Sequence, residues 1–480
     1  MTSTETNTDT TQASAWQKYV VAPVDGAALA YFRIAFGLIM LWEVCRYARD
    51  RESGSWIERY YIEPEMFFTY FGFGWVQPWD GSLMHVHFAV LGLLAIFIAL
   101  GLFYRVCTLL FALGFTQVFL IDMSNYLNHF YLISLVSFVM VVLPANRTLA
   151  VDALIWPKLR SKWVPAWSLW FLRLHIAIPY FFGGVAKING DWLRGEPMRS
   201  WMHNRQDFPL IGGFFTDEWM VSIFVYGGLL LDLCVVPFLL WPKTRVPALV
   251  AACTFHVLND HLFTIGIFPW FMIAASMLFL EPETIRKLFF QPASETEDEH
   301  EDEAAAKPPP SLPPDLASPP RWLVYLLVAH VSIQLVAPFR HWLYPGNVSW
   351  TEEGHNFSWH MKLRTKAATA RFEIHDPATG KRWSVRPEDY LTTRQSRKMK
   401  KRPDMIIQYS HWLAERWAHD GHPDVEVRAI VRAGLNGRPR QLLIDPNVDL
   451  TKKHRSLWPA NWILPLTEPL VLSEIYGDER

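Results

Sequence analysis

The stretch MHVHFAVLGLLAIFIALGLFYRVCTLLFALGFTQVFLID, residues 84–122, decides the fold of this chain. Apart from histidines, its only charged side chains are Arg105 and Asp122. A helix needs about 20 apolar residues to cross the hydrocarbon core of a bilayer, and backbone groups inside that core must be hydrogen-bonded within the segment. The stretch is long enough for two such helices joined near Arg105, so it predicts a membrane-embedded helical hairpin.

Apolar runs of this kind recur, and 51% of all residues are hydrophobic while 19% are charged. Such a composition is typical of a membrane protein that also carries polar regions. The predicted fold class is an all-α polytopic membrane domain of about nine spans, followed by a small α+β soluble C-terminal domain. As an alternative, some of the nine segments are re-entrant and do not cross the membrane. The predicted spans are 28–46, 84–103, 106–122, 128–145, 166–186, 218–241, 245–261, 263–281 and 321–338.

Composition divides the rest of the chain around these spans. Residues 1–27 form a polar N-terminal tail, and residues 28–290 form the transmembrane helical domain. Residues 291–320 are acidic and then rich in proline, which predicts a disordered linker. Residues 321–338 form the last transmembrane helix. In residues 339–480 alternating strand patterns and one helical pattern predict an extracytoplasmic α+β domain.

The distribution of basic residues predicts the orientation in the membrane. Short loops on the cytoplasmic side carry an excess of lysine and arginine. If the N-terminus is cytoplasmic, several basic short loops also lie on the cytoplasmic side, as this rule expects. They contain Arg105, Arg147, Lys158, Arg160, Lys162, Lys243 and Arg245. The C-terminal domain then lies on the opposite, extracytoplasmic side, which is the periplasm or the lumen of an organelle. The net charge of −1 gives no indication of a nucleic-acid partner.

The motif FFGGVAKINGDW, residues 181–192, is the first candidate site. Its lysine, Lys187, ends an apolar span just after Gly183 and Gly184, where small residues permit the close approach of a helix or a flat ligand. A lysine in a dry pocket favours its neutral form and can act as a base. Snorkelling of Lys187 to the membrane surface is the commoner behaviour of a terminal lysine.

Two further motifs place polar side chains at the ends of spans. Asn128 and His129 open the fourth span, where the histidine could relay a proton or be an interfacial residue bonded to a neighbouring helix. His256 and Asn259 lie in FHVLNDHLFTIGIF, residues 255–268. We interpret them as a hydrogen-bonded lining of a cavity, because the motif HExxH is absent and the spacing indicates no third metal ligand.

Arg33 and Arg173 lie inside apolar spans and therefore need acidic, carbonyl or ligand partners. Structural pairing with Glu43, Asp122 or Asp232 is as reasonable as a functional role. The four cysteines show neither CxxC nor His-Cys spacing, so no metal site is predicted.

Taken together and in order, these motifs resemble the vitamin K-dependent γ-glutamyl carboxylase family, which carries the HTTM region. The resemblance runs from about residue 28 to residue 465 through FRIAFGLIM, GLFYRVCTLLF, NHFYL, FFGGVAKINGDW, YGGLLLDL, FHVLNDHLFTIGIF, SWHM, QSRKMKKRPDMIIQY and LLIDPNVDL. No single motif is specific to the family, but the order and spacing of all nine motifs are specific to it.

The resemblance implies roles for individual residues. The family lysine that deprotonates vitamin K hydroquinone corresponds to Lys187, and the histidine that assists carboxylation corresponds to His129, preceded by Asn128. The segment WTEEGHNFSWHM, residues 350–361, resembles the glutamate-binding stretch of the family. We therefore predict that quinone and substrate are bound by Gly183, Gly184, Asp191, Trp192, His256, Asn259, Trp359 and Met361.

The activity implied by the resemblance couples two reactions. A vitamin K hydroquinone of the menaquinol or phylloquinol type is deprotonated by neutral Lys187 and reacts with O2. The strongly basic intermediate then removes a γ-proton from a glutamyl residue of a peptide or protein, and CO2 traps the carbanion. A water-free cavity within lipid-embedded helices would protect such an intermediate.

Two alternatives stay open at this stage. The chain carries His355 where the glutamate stretch of the family has an apolar residue. Hydroquinone epoxidation could therefore persist with a lost or altered carboxylation substrate. A non-catalytic membrane transport or export component is the other alternative, although the spans show no pair of interrupted helices in corresponding halves.

Overall fold

The computed structural model describes residues 20–50, 54–291 and 311–472. Every apolar run predicted as a span is helical. The helices are α1 Ala27–Ala48, α2 Ser82–Leu100, α3 Tyr104–Ile121, α4 Asn128–Val142, α6 Ala166–Lys187, α9 Glu218–Leu240, α10 Arg245–Phe263, α11 Phe268–Ser276 and α14 Arg321–Val336. Short helices between them are α5 Val151–Ile155, α7 Gly190–Leu193, α8 Met198–His203, α12 Pro282–Phe290, α13 Pro314–Ala317 and α15 Val348–Thr351.

Seven of these helices are long and apolar enough to cross a membrane, within the residues that the structure describes. Helix α14 reaches this length with the 3-10 turns of Ala337–Leu343. The predicted count of nine spans is therefore not confirmed, because α4 has 15 residues and α11 continues only through a 3-10 turn to Phe279. At a rise of about 1.5 Å per residue, neither covers the roughly 30 Å of a hydrocarbon core.

Successive apolar helices run in opposite directions between two faces of the membrane domain. On the Asp25 face, where α1 begins, Arg33 donates to the carbonyls of Ala145 (2.9 Å) and Leu149 (2.5 Å) after α4. The Lys187 face is the opposite one, where α6 ends. The C-terminal region lies on the Lys187 face, where Gln395 donates to Asp122 Oδ2 at the end of α3 (2.9 Å).

The Asp25 face is fastened by polar contacts. Strands β1 Pro23–Asp25 and β2 Trp163–Pro165 pair antiparallel. The carboxylate of Asp25 accepts from Ala27 N (2.8 Å) at the start of α1 and from Arg286 (2.6 and 2.7 Å). Arg147 pairs with Asp315 in α13. Within the linker 291–320, for which disorder is predicted, residues 314–317 are helical, while residues 292–310 lie outside the described residues.

Helices α1 and α2 make a close crossing. A Cβ atom on Gly37 would lie 2.5 Å from Ala95 O and 2.8 Å from Ala99 Cβ. Since no side chain fits there, glycine at position 37 allows the two backbones to approach, as small residues commonly do in membranes.

The predicted α+β domain is present in the C-terminal region. Four strands, β3 Lys366–His375, β4 Arg382–Val385, β5 Glu426–Leu435 and β6 Gln441–Leu442, form an antiparallel sheet in the order β4-β3-β5-β6. Helices α16 Thr393–Met399 and α17 Pro403–His419 complete it. Alternate β5 residues Val427, Ala429, Val431 and Ala433 are fully buried, so the sheet presents one face to the core.

Candidate active site

The central feature of the membrane domain is a buried ion pair. Lys187 Nζ, at the end of α6, donates to Asp232 Oδ2 in the middle of α9. Both side chains are more than nine-tenths buried. Burial agrees with the predicted dry environment of Lys187, so the alternative of snorkelling into water does not describe this side chain. The carboxylate partner was not predicted for this lysine.

The two predicted glycines bring α6 and α9 together. A Cβ atom on Gly184 would lie 2.7 Å from Leu233 Cδ2 and 3.2 Å from the backbone nitrogen of Leu233. A Cβ atom on Gly183 would lie 3.3 Å from Asp232 Oδ2 and 3.2 Å from Met361 Cε. The glycines therefore position the ion pair by allowing close helix contact, which was one of the two predicted uses of small residues.

The ion pair forms part of the wall of a cavity of about 450 Å³, called here the Lys187 cavity. Its wall comprises residues of α6, α7, α8, α9, α10 and α11 together with Met361 and Lys362. Most of the lining is apolar, and its tryptophan and phenylalanine members are Trp192, Trp201, Phe224, Phe255, Phe263 and Phe268. An apolar cavity of this size with a few convergent polar groups is typical of a site for a small organic ligand.

The cavity reaches the lateral surface of the membrane domain. Ile223 and Gly227 of α9 and Ala251 and Thr254 of α10 line it, and all four are exposed in the isolated chain. Because these residues lie within apolar helices, the surface there faces lipid. A lipid-soluble molecule can therefore approach the cavity between α9 and α10.

A hydrogen-bonded tyrosine and histidine form a second polar group of the cavity. The hydroxyl of Tyr180 lies 2.5 Å from His256 Nε2 and 3.5 Å from Ser276 Oγ. Asn259, one turn after His256, donates through Nδ2 to Phe255 O (3.0 Å). His256 and Asn259 both line the cavity, so the structure brings this predicted pair to the same cavity as Lys187.

The adjacent residues Asp191 and Trp192 point to different parts of the molecule. Trp192 lines the cavity, donates to Val225 O (3.1 Å) and holds its ring centre 5.5 Å from Lys187 Nζ. Asp191 instead accepts two hydrogen bonds from Arg438 (2.6 and 2.7 Å) and one from Asn436 (2.8 Å). Burial raises the pKa of Asp191, but these bonds outweigh it and hold that pKa below its usual value. Asp191 thus attaches the C-terminal region to the membrane domain.

The structure does not place His129 in the Lys187 cavity. The His129 ring stacks on Phe268, with centroids 5.5 Å apart, and Phe268 lines the cavity while His129 does not. His129 Nε2 is buried without a hydrogen-bond partner among the described residues. Asn128 accepts from Tyr126 (2.8 Å) and donates to His360 O (3.3 Å). The predicted catalytic histidine is therefore packed behind Phe268, a residue of the cavity wall.

The segment 350–361 and the residue that follows it, Lys362, cross the Lys187 face with an unusual backbone. Glu352, Phe357, Trp359 and Lys362 have φ values of +65°, +65°, +57° and +50°, although none is glycine. Such conformations are costly and tend to cluster at functional sites. Met361 lines the cavity, whereas Trp359 is buried against the Tyr131 ring (5.1 Å) and does not line it.

His355 belongs to a buried charged cluster beside that segment. Its Nε2 contacts Arg364, which pairs with Glu352 (2.5 Å). Burial, followed by the charge of Arg364, lowers the pKa of His355 well below its usual value. The side chain is therefore a neutral acceptor that helps to position Arg364.

The two intramembrane arginines serve the structure. Arg33 is bonded to carbonyls at the end of α4, as described above. Arg173 donates to Leu278 O (2.7 Å) and Leu280 O (3.1 Å). Both guanidinium groups are therefore bound by backbone carbonyls near helix ends, which is one of the kinds of partner predicted for them. The suggested acidic partners pair elsewhere, since Glu43 binds Arg46 and Asp232 binds Lys187.

Three ionisable residues of the cavity wall were not predicted in these roles: Asp232 as the partner of Lys187, Tyr180, and Lys362. A lone aspartate in one apolar span and a lone lysine at the end of another was a usable signal, because buried charges of opposite sign tend to pair. Among the described residues, no group of three or more histidine, cysteine, aspartate or glutamate side chains is placed to hold a metal ion.

The fold and the site together define a class of protein: a polytopic helical membrane protein with a buried lysine–aspartate pair in a lipophilic cavity, capped by an α+β domain. Comparison with known families agrees with this class. Residues 21–283, more than half of the chain, match the HTTM domain, and residues 319–469 match the vitamin K-dependent gamma-carboxylase lumenal domain. No solved structure matches the chain.

The chain belongs to the vitamin K-dependent γ-glutamyl carboxylase family. The predicted family is therefore confirmed, with both its membrane and its lumenal part.

Proposed function

We propose that this protein oxidises vitamin K hydroquinone to its epoxide with O2 and uses that reaction to carboxylate glutamyl residues with CO2. The observation that carries the proposal is the buried Lys187–Asp232 pair in the wall of an apolar cavity. A base that faces an apolar ligand site fits the first step of this chemistry, the removal of a proton from a hydroquinone.

The aspartate changes the expected action of Lys187. Transfer of one proton from Lys187 to Asp232 gives a neutral amine without changing the net charge of the pair, and a dry environment favours such a neutral pair. The amine then accepts a proton from a bound hydroxyl group. Asp232, which now carries the first proton, remains hydrogen-bonded to the resulting ammonium ion, whose counter-ion is the hydroquinone anion.

The residues of the cavity suit the proposed quinone. Aromatic rings and aliphatic side chains would hold a naphthoquinone ring, and the lipid-facing side between α9 and α10 would admit its apolar tail. When bound and treated with O2, the hydroquinone supplies the strong base that removes the γ-proton of a glutamyl side chain. The protein side chains exclude water from this reaction and position the reacting groups.

The Tyr180–His256 pair offers a second hydrogen-bonding group for an oxygen of the quinone ring. We assign His129 and Asn128 to the carboxylation half of the reaction. We further propose that the N-terminus is cytoplasmic and that the C-terminal domain, with the peptide substrate, lies on the extracytoplasmic or lumenal side.

The test uses full-length protein purified in detergent with reduced vitamin K, bicarbonate and a short glutamate-containing peptide. We expect both epoxide and fixed CO2 from the wild type. Lys187→Ala should reduce both by about 10²- to 10⁴-fold, the usual contribution of a general base. Lys158→Ala, which removes an exposed lysine beyond the Asp25 ends of the helices, is the matched control and should change neither product.

The other outcomes identify the alternatives. Epoxide without fixed CO2 would favour a hydroquinone epoxidase with a lost or altered carboxylation substrate. The absence of epoxide from wild-type protein that is folded and binds the quinone would contradict the proposal and favour a non-catalytic membrane component.

A further inference from the structure

The side chains that line the Lys187 cavity include one more positively charged group than negatively charged groups. Its charged lining residues are Lys187, Asp232 and Lys362. The first two neutralise each other. Lys362 forms no ion pair within the part of the chain that the structure describes. The cavity is therefore electrostatically matched to a ligand group that carries a single negative charge.

Lys362 lies at the open end of the cavity on the Lys187 face. The residue is exposed, whereas Lys187 is buried. Its amine lies 4.5 Å from the ring centre of Phe263 and 5.6 Å from that of Trp201, which holds it over an aromatic rim. The φ value of +50° at Lys362 is a conformation that L residues rarely adopt. The backbone is thus held in an unfavourable form where this cation meets the cavity.

We propose that Lys362 binds the carboxylate of an acidic side chain, of the class carried by glutamyl peptides, as that side chain enters the Lys187 cavity from the Lys187 face. This inference rests on the proposed function and names the residue that selects its substrate. An ammonium and a carboxylate form a charge-assisted hydrogen bond, and the apolar rim strengthens it by excluding water. A neutral amide of the same shape would leave Lys362 without a counter-charge, so the site would discriminate against it.

A binding experiment tests this without requiring turnover. Full-length protein in lipid nanodiscs is titrated calorimetrically with a short peptide that contains one glutamate and with the same peptide carrying glutamine. We expect wild-type protein to bind the glutamate peptide at least about tenfold more tightly, since hydrogen bonds to charged groups are worth roughly this much or more. Lys362→Met should bring the ratio close to one, and Lys362→Arg should restore most of it.

The controls keep the two proposals separate. Lys381→Met removes an exposed lysine in the turn between β3 and β4 and should leave the wild-type ratio unchanged. A wild-type ratio near one overturns the inference, as does a Lys362→Met ratio equal to that of the wild type in protein with an unaltered unfolding temperature. The inference is also overturned if Lys362→Met weakens the binding of a naphthoquinone but leaves the ratio of the two peptide affinities unchanged. Lys362-dependent selectivity in a protein that forms no epoxide would support the inference while contradicting the proposed function.

Discussion

Two buried ion pairs begin close together in the sequence and serve different purposes. Lys187 pairs with Asp232 inside the cavity, whereas Asp191 pairs with Arg438 between the membrane domain and the C-terminal region. Arg438 binds both carboxylate oxygens, and Asn436 adds a third bond, so the Asp191 pair is saturated. Among the described residues, Lys187 Nζ has one hydrogen-bond partner, and the rest of its surroundings are apolar and aromatic.

We propose that this difference makes the Asp191 pair structural and the Lys187 pair reactive. A bidentate arginine with further hydrogen bonds fixes a carboxylate in one ionic state. A lysine and an aspartate joined by one bond can exchange a proton and face a ligand. Matched aspartate-to-asparagine substitutions at the two pairs should therefore have different effects, one on the reaction and the other on the stability of the fold.

The largest effect is expected from Asp232→Asn. Lys187 would lose the carboxylate to which it transfers its proton before it acts as a base, so the initial rate of epoxide formation should fall by about 10²- to 10⁴-fold. Epoxide is measured at saturating reduced vitamin K, with Asp207→Asn, at an exposed position, as the control. A rate within threefold of the wild type would remove Asp232 from the proposed base.

Asp191→Asn should act mainly on stability. Removal of one partner of a buried pair leaves the other charge uncompensated, which typically costs about 3–5 kcal/mol. We expect a lower unfolding temperature and faster proteolysis of the C-terminal region, with epoxide formation by the folded fraction affected much less than in Asp232→Asn. An unaltered unfolding temperature would show that this pair does not attach the two regions.

The pKa of Asp191 gives the sign of a pH effect on the same attachment. Because its folded-state pKa lies below the usual value, the pair contributes stability above the unfolded pKa of about 3.9, and this contribution is lost as the pH falls through the depressed value. The difference in stability between wild type and Asp191→Asn should therefore be full at neutral pH and shrink only in acid. A difference that disappears between pH 5 and 7 would contradict this assignment.

The smallest effects are expected at the glycine pair that sets the distance between α6 and α9. Gly184→Ala would place a Cβ atom 2.8 Å from Leu233 Cγ, and overpacking of this kind typically costs about 1–3 kcal/mol. Gly183→Ala meets its neighbours at 3.2 Å or more, and the flexible end of Met361 can move, so it should cost less. The free energy of unfolding of both variants is measured in detergent mixtures. A larger loss of stability in Gly183→Ala than in Gly184→Ala would show that the contact with Asp232 matters more than the helix packing.

The sequence predicted the cavity better than its chemistry. Lys187, His256 and Asn259 were identified from local motifs, and Trp192 and Met361 from the family resemblance; the structure places all five in one cavity. Such motifs are readable because polar residues at the ends of apolar spans stand out against their neighbours. The helical runs were likewise identified from apolar length alone, although two of them are too short to count as spans.

The relation between distant helices could not be read from the sequence. Asp232 lies in YGGLLLDL, and only the packing of α9 on α6 shows that its partner is Lys187 rather than an arginine. His129 was predicted as a catalytic residue, yet the ring of Phe268 separates it from the cavity. Asp191 follows Lys187 closely but turns toward Arg438, because the short helix α7 directs neighbouring side chains to different sides.

The most direct test of the central claim asks whether Lys187 and Asp232 act as one proton-accepting unit. Rates of epoxide formation are measured for wild type, Lys187→Ala, Asp232→Asn and the double variant under identical conditions. Residues that work as a unit show strongly non-additive losses. We predict that the double variant is no more than about threefold slower than Lys187→Ala alone. A double variant whose loss equals the product of the two single losses would mean that the residues act independently, which contradicts the account.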